Sequence, residues 1–298
     1  MSEQPNRGAE PASAASLLLT LLGEFVLPDR QPVWTSTLTE ALAALGVEDK
    51  AARQALARTG ERGLLERDKQ GRRVRWGLTP AAIELLEEGT AHIYRFGTTP
   101  KAWDGQWLLV LCSLPAARAA LRHRLRVRLG WAGLAPFGPG AWISPWVDRQ
   151  PEAVEVLRQF DLHGQARSFT GRLGVLGDVS TTVAQAWELE GLAGRYRQFL
   201  ADFGEQTPPD APTSGFSPGA HGPARSGPQA GEGTDATEFA ALCWLVHRWR
   251  RFPTIDPELP RELWPLRWPA EAAVTLFHRQ HARWTPTAQR WWHTRTPA

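Results

Sequence analysis

The stretch from Val47 to Leu78 constrains this chain more than any other. Ala52, Ala55, Leu56 and Thr59 recur at helical spacing and form one narrow face suited to burial. Lys50, Arg53, Gln54, Ala57 and Arg58 fall on the opposite face, which is cationic, amide-bearing and open to close approach at the alanine. After Gly63 the period changes. Leu64 to Arg67 reads as a short strand, Asp68 to Gly71 as a turn, and Arg72 to Leu78 as a second strand, in which Val74, Trp76 and Leu78 alternate with Arg73 and Arg75. A helix followed by a basic hairpin is the pattern of a winged helix. Lys50 to Arg75 holds nine Lys or Arg and three Asp or Glu. A charge run of this kind is as often a plain solvated surface as a nucleic-acid contact, so the flanking elements decide.

Upstream, residues 1 to 15 are polar, rich in Pro and Ala and without periodicity, and read as a disordered tail. Ser16 to Leu27 is a buried helix ended by Pro28. Val33-Trp34 is a short extended piece. Thr37 and Glu40 match a capping box for a helix from Leu38 to Leu45, which Gly46 closes. Helix, strand, helix, turn, helix and hairpin is the order of a winged helix-turn-helix over residues 16–96. In that fold the third helix enters the major groove and the wing touches the backbone or minor groove.

The remaining chain needs more than one further core. At 298 residues, two or three domains are expected. Hydrophobic content of 42% and charged content of 22% are those of a soluble globular protein. The net charge is only +3 while the pI is near 9.2, so basicity is local. Two cysteines, Cys112 and Cys243, give neither a zinc spacing nor a disulfide framework and point to a reducing cytoplasm. The N-terminus has no signal-peptide core, and no apolar run approaches the ~18 residues of a membrane span.

Trp107 to Leu114 is a continuous apolar run, read as a strand covered on both faces. Ala116 to Leu129 reads as a helix with Leu121, Leu125 and Leu129 on one face and Arg118, Arg122, Arg124, Arg126 and Arg128 around the rest. A loop at Pro136 to Gly140, a strand at Ala141 to Ser144, a helix at Glu152 to Phe160 and a strand at Ser168 to Leu173 follow. Alternating strands and helices over residues 101–180 indicate a ferredoxin-like middle domain. Residues 183–298 read as a helical C-terminal domain, interrupted by a Pro-, Gly- and Ser-rich flexible linker at 202–236. The expected class is therefore α+β: an N-terminal winged helix-turn-helix, a central ferredoxin-like α/β domain and a C-terminal helical domain.

Several stretches together resemble one family. Ser16 to Val26, Val33 to Gly46, Ala51 to Leu65 and Gly71 to Gly89 are similar to the N-terminal domain of the phenylacetate-operon repressors, the PaaX-type regulators. Trp103 to Pro115 resembles the start of that family's middle domain, Ala186 to Leu200 one of its helices, and His247 to Pro269 its C-terminal signature. The resemblance implies a cytoplasmic, homodimeric transcriptional repressor, binding inverted-repeat operators in double-stranded DNA upstream of aromatic-acid degradation genes. It implies release by an aryl-CoA effector such as phenylacetyl-CoA. Two departures matter locally. Glu48 stands where the family has a small polar helix cap. Gly60 lies inside the third helix, where glycine costs about 1 kcal/mol relative to alanine, which predicts a helix that ends a turn early.

For DNA, the candidates are Lys50, Arg53, Gln54 and Arg58 on the helix and Lys69, Arg72, Arg73 and Arg75 on the wing. Arg53 and Gln54, in the first half of the helix, are assigned to base edges, because Arg can hold guanine and Gln adenine bidentately. The others are assigned to phosphates. For the effector, His247, Arg248, Trp249, Arg250 and Arg251 offer cations for phosphates and a ring wall within one and a half helical turns. The Arg118 to Arg128 helix is a second candidate. No catalytic motif, cofactor loop or metal set is evident, and an enzyme is not expected; His278 and His281 lack a third ligand. A metal-dependent nuclease or RNA-processing enzyme on the middle domain is the alternative, but its first strand runs into Cys112-Ser113-Leu114-Pro115 without a carboxylate.

Overall fold

A computed structural model describes residues 12–99, 101–114, 116–204 and 232–296. In chain order the elements are α1 (Ala14–Leu21), β1 (Val33–Trp34), α2 (Thr35–Ala44), α3 (Asp49–Glu61), β2 (Leu65–Gln70), β3 (Arg73–Leu78) and α4 (Pro80–Arg95). Then come β4 (Trp107–Leu111), α5 (Arg122–Trp131), β5 (Ala135–Gly138), β6 (Ala141–Ser144), α6 (Gln150–Gln159), β7 (Arg167–Gly171) and α7 (Val179–Ala186). The chain ends with α8 (Leu189–Phe203), α9 (Glu232–Trp249), α10 (Phe252–Ile255) and α11 (Ala270–Arg295). The class is mixed helix and sheet, with two small antiparallel sheets. No helix among the described residues is long and apolar enough to cross a membrane.

The elements form two units that do not follow sequence order. One combines the chain up to Phe96 with 198–252 and 272–298; the other holds 97–197 and 253–271. The helical C-terminal region expected as one domain is therefore divided. Most of the expected tail at 1–15 and of the linker at 202–236 lies outside the described residues. At their margins the expectation needs correcting: Ser13 caps α1 with its side chain, and residues 232–236 are already helical in α9.

In the first unit the core is aromatic. Phe25 lies 5.1 Å from Phe239 and 5.3 Å from Trp292, and Phe239 stacks on Trp291 at 3.9 Å. A π-helical turn, Leu22–Val26, follows α1. It carries Glu24, which accepts a hydrogen bond from the Tyr94 hydroxyl at 2.7 Å. His281 of α11 brings Nε2 within 2.7 Å of the same hydroxyl, so it belongs to a half-buried polar cluster. Helix α11 runs through Pro286, a residue that ordinarily interrupts a helix. Loss of one backbone bond costs about 3 kcal/mol; Trp284, Ala288, Trp291 and Trp292, all buried on either side of the proline, offset it.

The expected capping box at α2 does not form. Trp34, extended in β1, is the N-cap and makes no side-chain cap. Thr37 and Glu40 reach Arg295 instead: the Thr37 hydroxyl donates to its carbonyl at 2.9 Å, and its guanidinium donates to Glu40 at 2.8 Å. The other end of α2 follows the expectation. Gly46 sits at φ +82, and the amides of Gly46 and Val47 donate back to Ala43 and Leu42, the pairing of a Schellman stop.

In the second unit the strand order is β5-β6-β4-β7, all antiparallel. Strand β5 occupies part of the segment read as a loop. It holds Pro136, which an edge strand tolerates because no partner needs its missing N–H. One sheet face, with Leu108, Val110 and Cys112, packs on Leu125 and Leu129 of α5 and Val156 and Leu157 of α6. The other, with Trp107 and Ile143, is covered by Val183, Leu189, Leu259 and Leu263. Cover on that side is incomplete, since Leu111 and Phe169 are exposed. The segment after α10 is pinned there: Trp146 donates to the Glu258 carbonyl at 2.9 Å, and the Tyr196 hydroxyl to Asp256 at 2.5 Å.

Candidate nucleic-acid interface

Helix α3 buries Ala52, Ala55, Leu56 and Thr59. The Thr59 hydroxyl is satisfied by the Ala55 carbonyl at 2.7 Å. These are the four positions that periodicity selects. Three of them are small, which lets the helix axis lie close to its neighbours. The face left outside carries Lys50, Arg53, Gln54, Ala57 and Arg58, all exposed.

The helix does not end early at Gly60 but runs to Glu61. A Cβ on Gly60 would meet Cζ3 of Trp76 at 3.0 Å. The glycine is thus where the β3 indole closes on the helix, and that packing compensates for its poor helix propensity. Glu48 is the N-cap and makes no side-chain cap, as its chemistry suggests. Asp49, in the first turn, complements the positive end of the helix and binds Arg53 Nε at 2.7 Å. That carboxylate raises the Arg53 pKa further, by hydrogen bond first and by charge second, so the guanidinium is permanently cationic.

The hairpin is tighter than the sequence suggests. Strands β2 and β3 pair from Leu65↔Leu78 to Gln70↔Arg73, leaving only Gly71 and Arg72 in the loop. Gly71 has φ +60, which this two-residue loop requires of its first residue. Asp68 belongs to the strand because Arg75 faces it across the ladder and binds it at 2.8 Å. Arg72 therefore sits at the tip, with Lys69 and Arg73 exposed beside it and Arg75 half-buried.

Sequence reading missed Trp34. Strand β1 pairs with β3, Trp34 opposite Arg75. The guanidinium carbons of Arg73 and Arg75 lie 4.1 and 5.2 Å from the Trp34 ring centre. The indole is a shelf that aligns two hairpin arginines by cation–π attraction. Its only sequence signal was an aromatic residue in a strand too short to be scored.

The residues His247 to Arg251 are differently disposed. Trp249 is wholly buried, stacked on Phe277 at 4.7 Å, and its indole N–H donates to the Ile93 carbonyl at 3.2 Å. Arg250 donates to Ser16 Oγ at 2.6 Å and Arg248 lies 3.7 Å from Asp202. His247 is buried, with Nδ1 3.4 Å from Thr20 Oγ1. The expected ring wall for an effector is core, because the same apolar face that suits a ligand suits Phe277 better.

Burial first, then Arg250, Arg248 and Arg251, hold the His247 pKa down at about 4. The unfolded imidazole titrates near 6.5, so between these values the unfolded chain binds more protons. The stabilisation is present above pH 6.5 and is lost as pH falls toward 4, on the order of 3 kcal/mol in full. Urea midpoints measured from pH 7 to 4.5 should fall, and His247→Leu should flatten the fall.

Comparison with known proteins puts the geometry in context. Three family models match in order: PaaX-like protein over residues 13–82, the PaaX protein central Cas2-like domain over 100–183, and the PaaX-like protein C-terminal domain over 220–294. The transcriptional repressor PaaX of Escherichia coli (strain K12) is 25% identical over 283 residues, covering 94% of this chain and 83% of that one. An uncharacterized protein from Mycobacterium tuberculosis, of known structure, shares 18% identity at a TM-score of 0.56, over 94% of this chain and 98% of that one. At that identity the likeness concerns the fold alone. With three models of one family matched in sequence order, and a relative aligned along nearly its whole length, the chain belongs to the PaaX-like family.

Proposed function

We propose that the chain is a DNA-binding transcriptional repressor, with α2, α3 and the β2–β3 hairpin acting as a winged helix-turn-helix. The observation that carries this is the α3 face: five neighbouring side chains, three cations, an amide and an alanine, turned outward beside an arginine-tipped hairpin. Helix α3 enters the major groove, where Arg53 and Gln54 read base edges. Lys50, Arg58, Lys69, Arg72, Arg73 and Arg75 neutralise phosphates and set register.

The middle unit is a ferredoxin-like module. Its strand order, with the first strand between the third and fourth and the second at the far edge, supports that reading. The regulator works in the cytoplasm as a homodimer on an inverted repeat, controls aromatic-acid catabolic genes of the phenylacetate type, and leaves DNA when an aryl-CoA thioester binds. These finer points follow the relative's role as a repressor and the sequence resemblance. The test is binding of the purified chain to its own promoter region against random duplex at moderate salt. A footprint over an inverted repeat is expected; equal affinity for both DNAs would overturn the proposal.

A further inference from the structure

Five arginines of the second unit stand apart from several of its others. Those others meet acids within the unit: Arg149 with Glu152, Arg158 with Glu155, Arg197 with Glu190, Arg261 with Glu271. Arg118 and the four arginines of α5 (Arg122, Arg124, Arg126 and Arg128) have no carboxylate within ion-pair distance among the described residues. Arg122 and Arg126, like Arg124 and Arg128, are four apart on one helix, a spacing at which like charges repel. The helix thus carries concentrated positive charge whose arginines make no ion pair among the described residues.

Part of that charge lines a cavity of about 620 Å³ between α5 and the end of α6. Arg118, His123, Arg124 and Arg128 contribute cations or donors, and Phe160 and Trp131 contribute rings. The arginines are held in place. Arg118 donates to the Phe160 carbonyl at 2.8 Å, and Arg128 to Gln159 Oε1 at 2.7 Å. Arg124 lies over the Phe160 ring at 5.9 Å and Arg128 over Trp131 at 5.7 Å. Trp131 is 71% exposed, a large flat apolar surface left in water at the rim. Among the described residues Asp161 is the one acid in the lining; it follows the α6 terminus with φ +54.

The geometry points to this cavity as a binding site for a small ligand that joins phosphates to a flat ring, of the nucleotide type. Fixed, acid-free guanidinium groups are the usual phosphate receptors. An exposed indole beside one of them is a stacking surface. The volume exceeds what a lone phosphate fills and falls in the range of small-molecule pockets, roughly 300–1,000 Å³. Concavity separates it from a duplex-binding ridge, which would present its cations outward. This inference deepens the regulatory reading, and rests on it, in one respect: it names where the releasing signal is received, at α5 and not at His247 to Arg251.

The test is calorimetry on the full chain in phosphate-free buffer, with ADP, coenzyme A and inorganic phosphate as probes. ADP or coenzyme A should bind at one site per chain. Arg124→Ala with Arg128→Ala should weaken it by about tenfold or more. Trp131→Ala, at an exposed position that does not threaten the fold, should weaken the nucleotides while leaving phosphate unchanged. Absence of binding by both nucleotides, or unchanged affinity in the variants, overturns the inference. So does a double variant that loses duplex DNA binding while retaining the nucleotides. Promoter binding is measured on the same samples without nucleotide. Its failure in the parent chain would sink the regulatory reading and leave the cavity result standing, whereas promoter binding by a nucleotide-blind chain sinks the cavity alone.

Discussion

Arg53→Ala should cost about 1–3 kcal/mol of operator affinity and relax one base position, while leaving random duplex binding nearly unchanged. The side chain is exposed in the first half of α3, two turns from the Gly60–Trp76 contact that holds the far end of the helix. It is now tethered to Asp49, an exposed pair worth under about 1 kcal/mol, so a guanine can outcompete the carboxylate. Arg72→Ala is the contrast. Exposed at the hairpin tip, it is assigned to a phosphate, so its loss should weaken operator and random DNA alike. It should also lower the slope of log affinity against log salt by about one unit. Fluorescence anisotropy on both duplexes between 50 and 200 mM salt, roughly the range over which counterion release dominates, separates the two. Equal losses on both DNAs for Arg53→Ala would refute its assignment to a base.

Trp249→Ala should destabilise the chain by about 3–5 kcal/mol, the range for emptying a large aromatic site. The indole is enclosed on every side: Phe277 stacked at 4.7 Å, Phe252 at 5.2 Å, Phe199 at 5.3 Å and Phe96 at 5.8 Å. Truncation leaves a cavity among four rings and strips the Ile93 carbonyl of its donor. Urea denaturation followed by circular dichroism measures it, and Trp249→Phe should recover part of the loss because it refills most of the volume. A change below 1 kcal/mol would contradict the buried position and reopen a ligand role for this ring.

What could be read from sequence divides along one line. The buried face of α3 was legible because its partners are local in pattern: apolar spacing alone selects Ala52, Ala55, Leu56 and Thr59. So was the stop at Gly46. Features whose partners come from far along the chain were not. Thr37 and Glu40 satisfy the spacing of a capping box, yet both belong to Arg295. Asp68 looks like a turn residue until Arg75 is seen opposite it. Pro136 and Pro286 are residues that ordinarily break regular structure, and an edge position in one case and flanking tryptophans in the other keep it going. Trp249 carried a ligand reading, and only the rings of Phe96, Phe199 and Phe277 show that it is core. For the candidate interface, side-chain identities were visible in sequence, but the Trp34 shelf and the two-residue hairpin loop required coordinates.

The reach of Arg295 to Thr37 and Glu40 has a consequence for how the chain matures. Helix α2 leans on Arg295, 255 residues beyond Glu40, and Phe25 waits for Phe239 and Trp292. On the ribosome the nascent head lacks these contacts until Phe239, Trp292 and Arg295 have left the exit tunnel. The first unit therefore completes its packing only after the strands of the second, which lie between its parts in sequence, have been made.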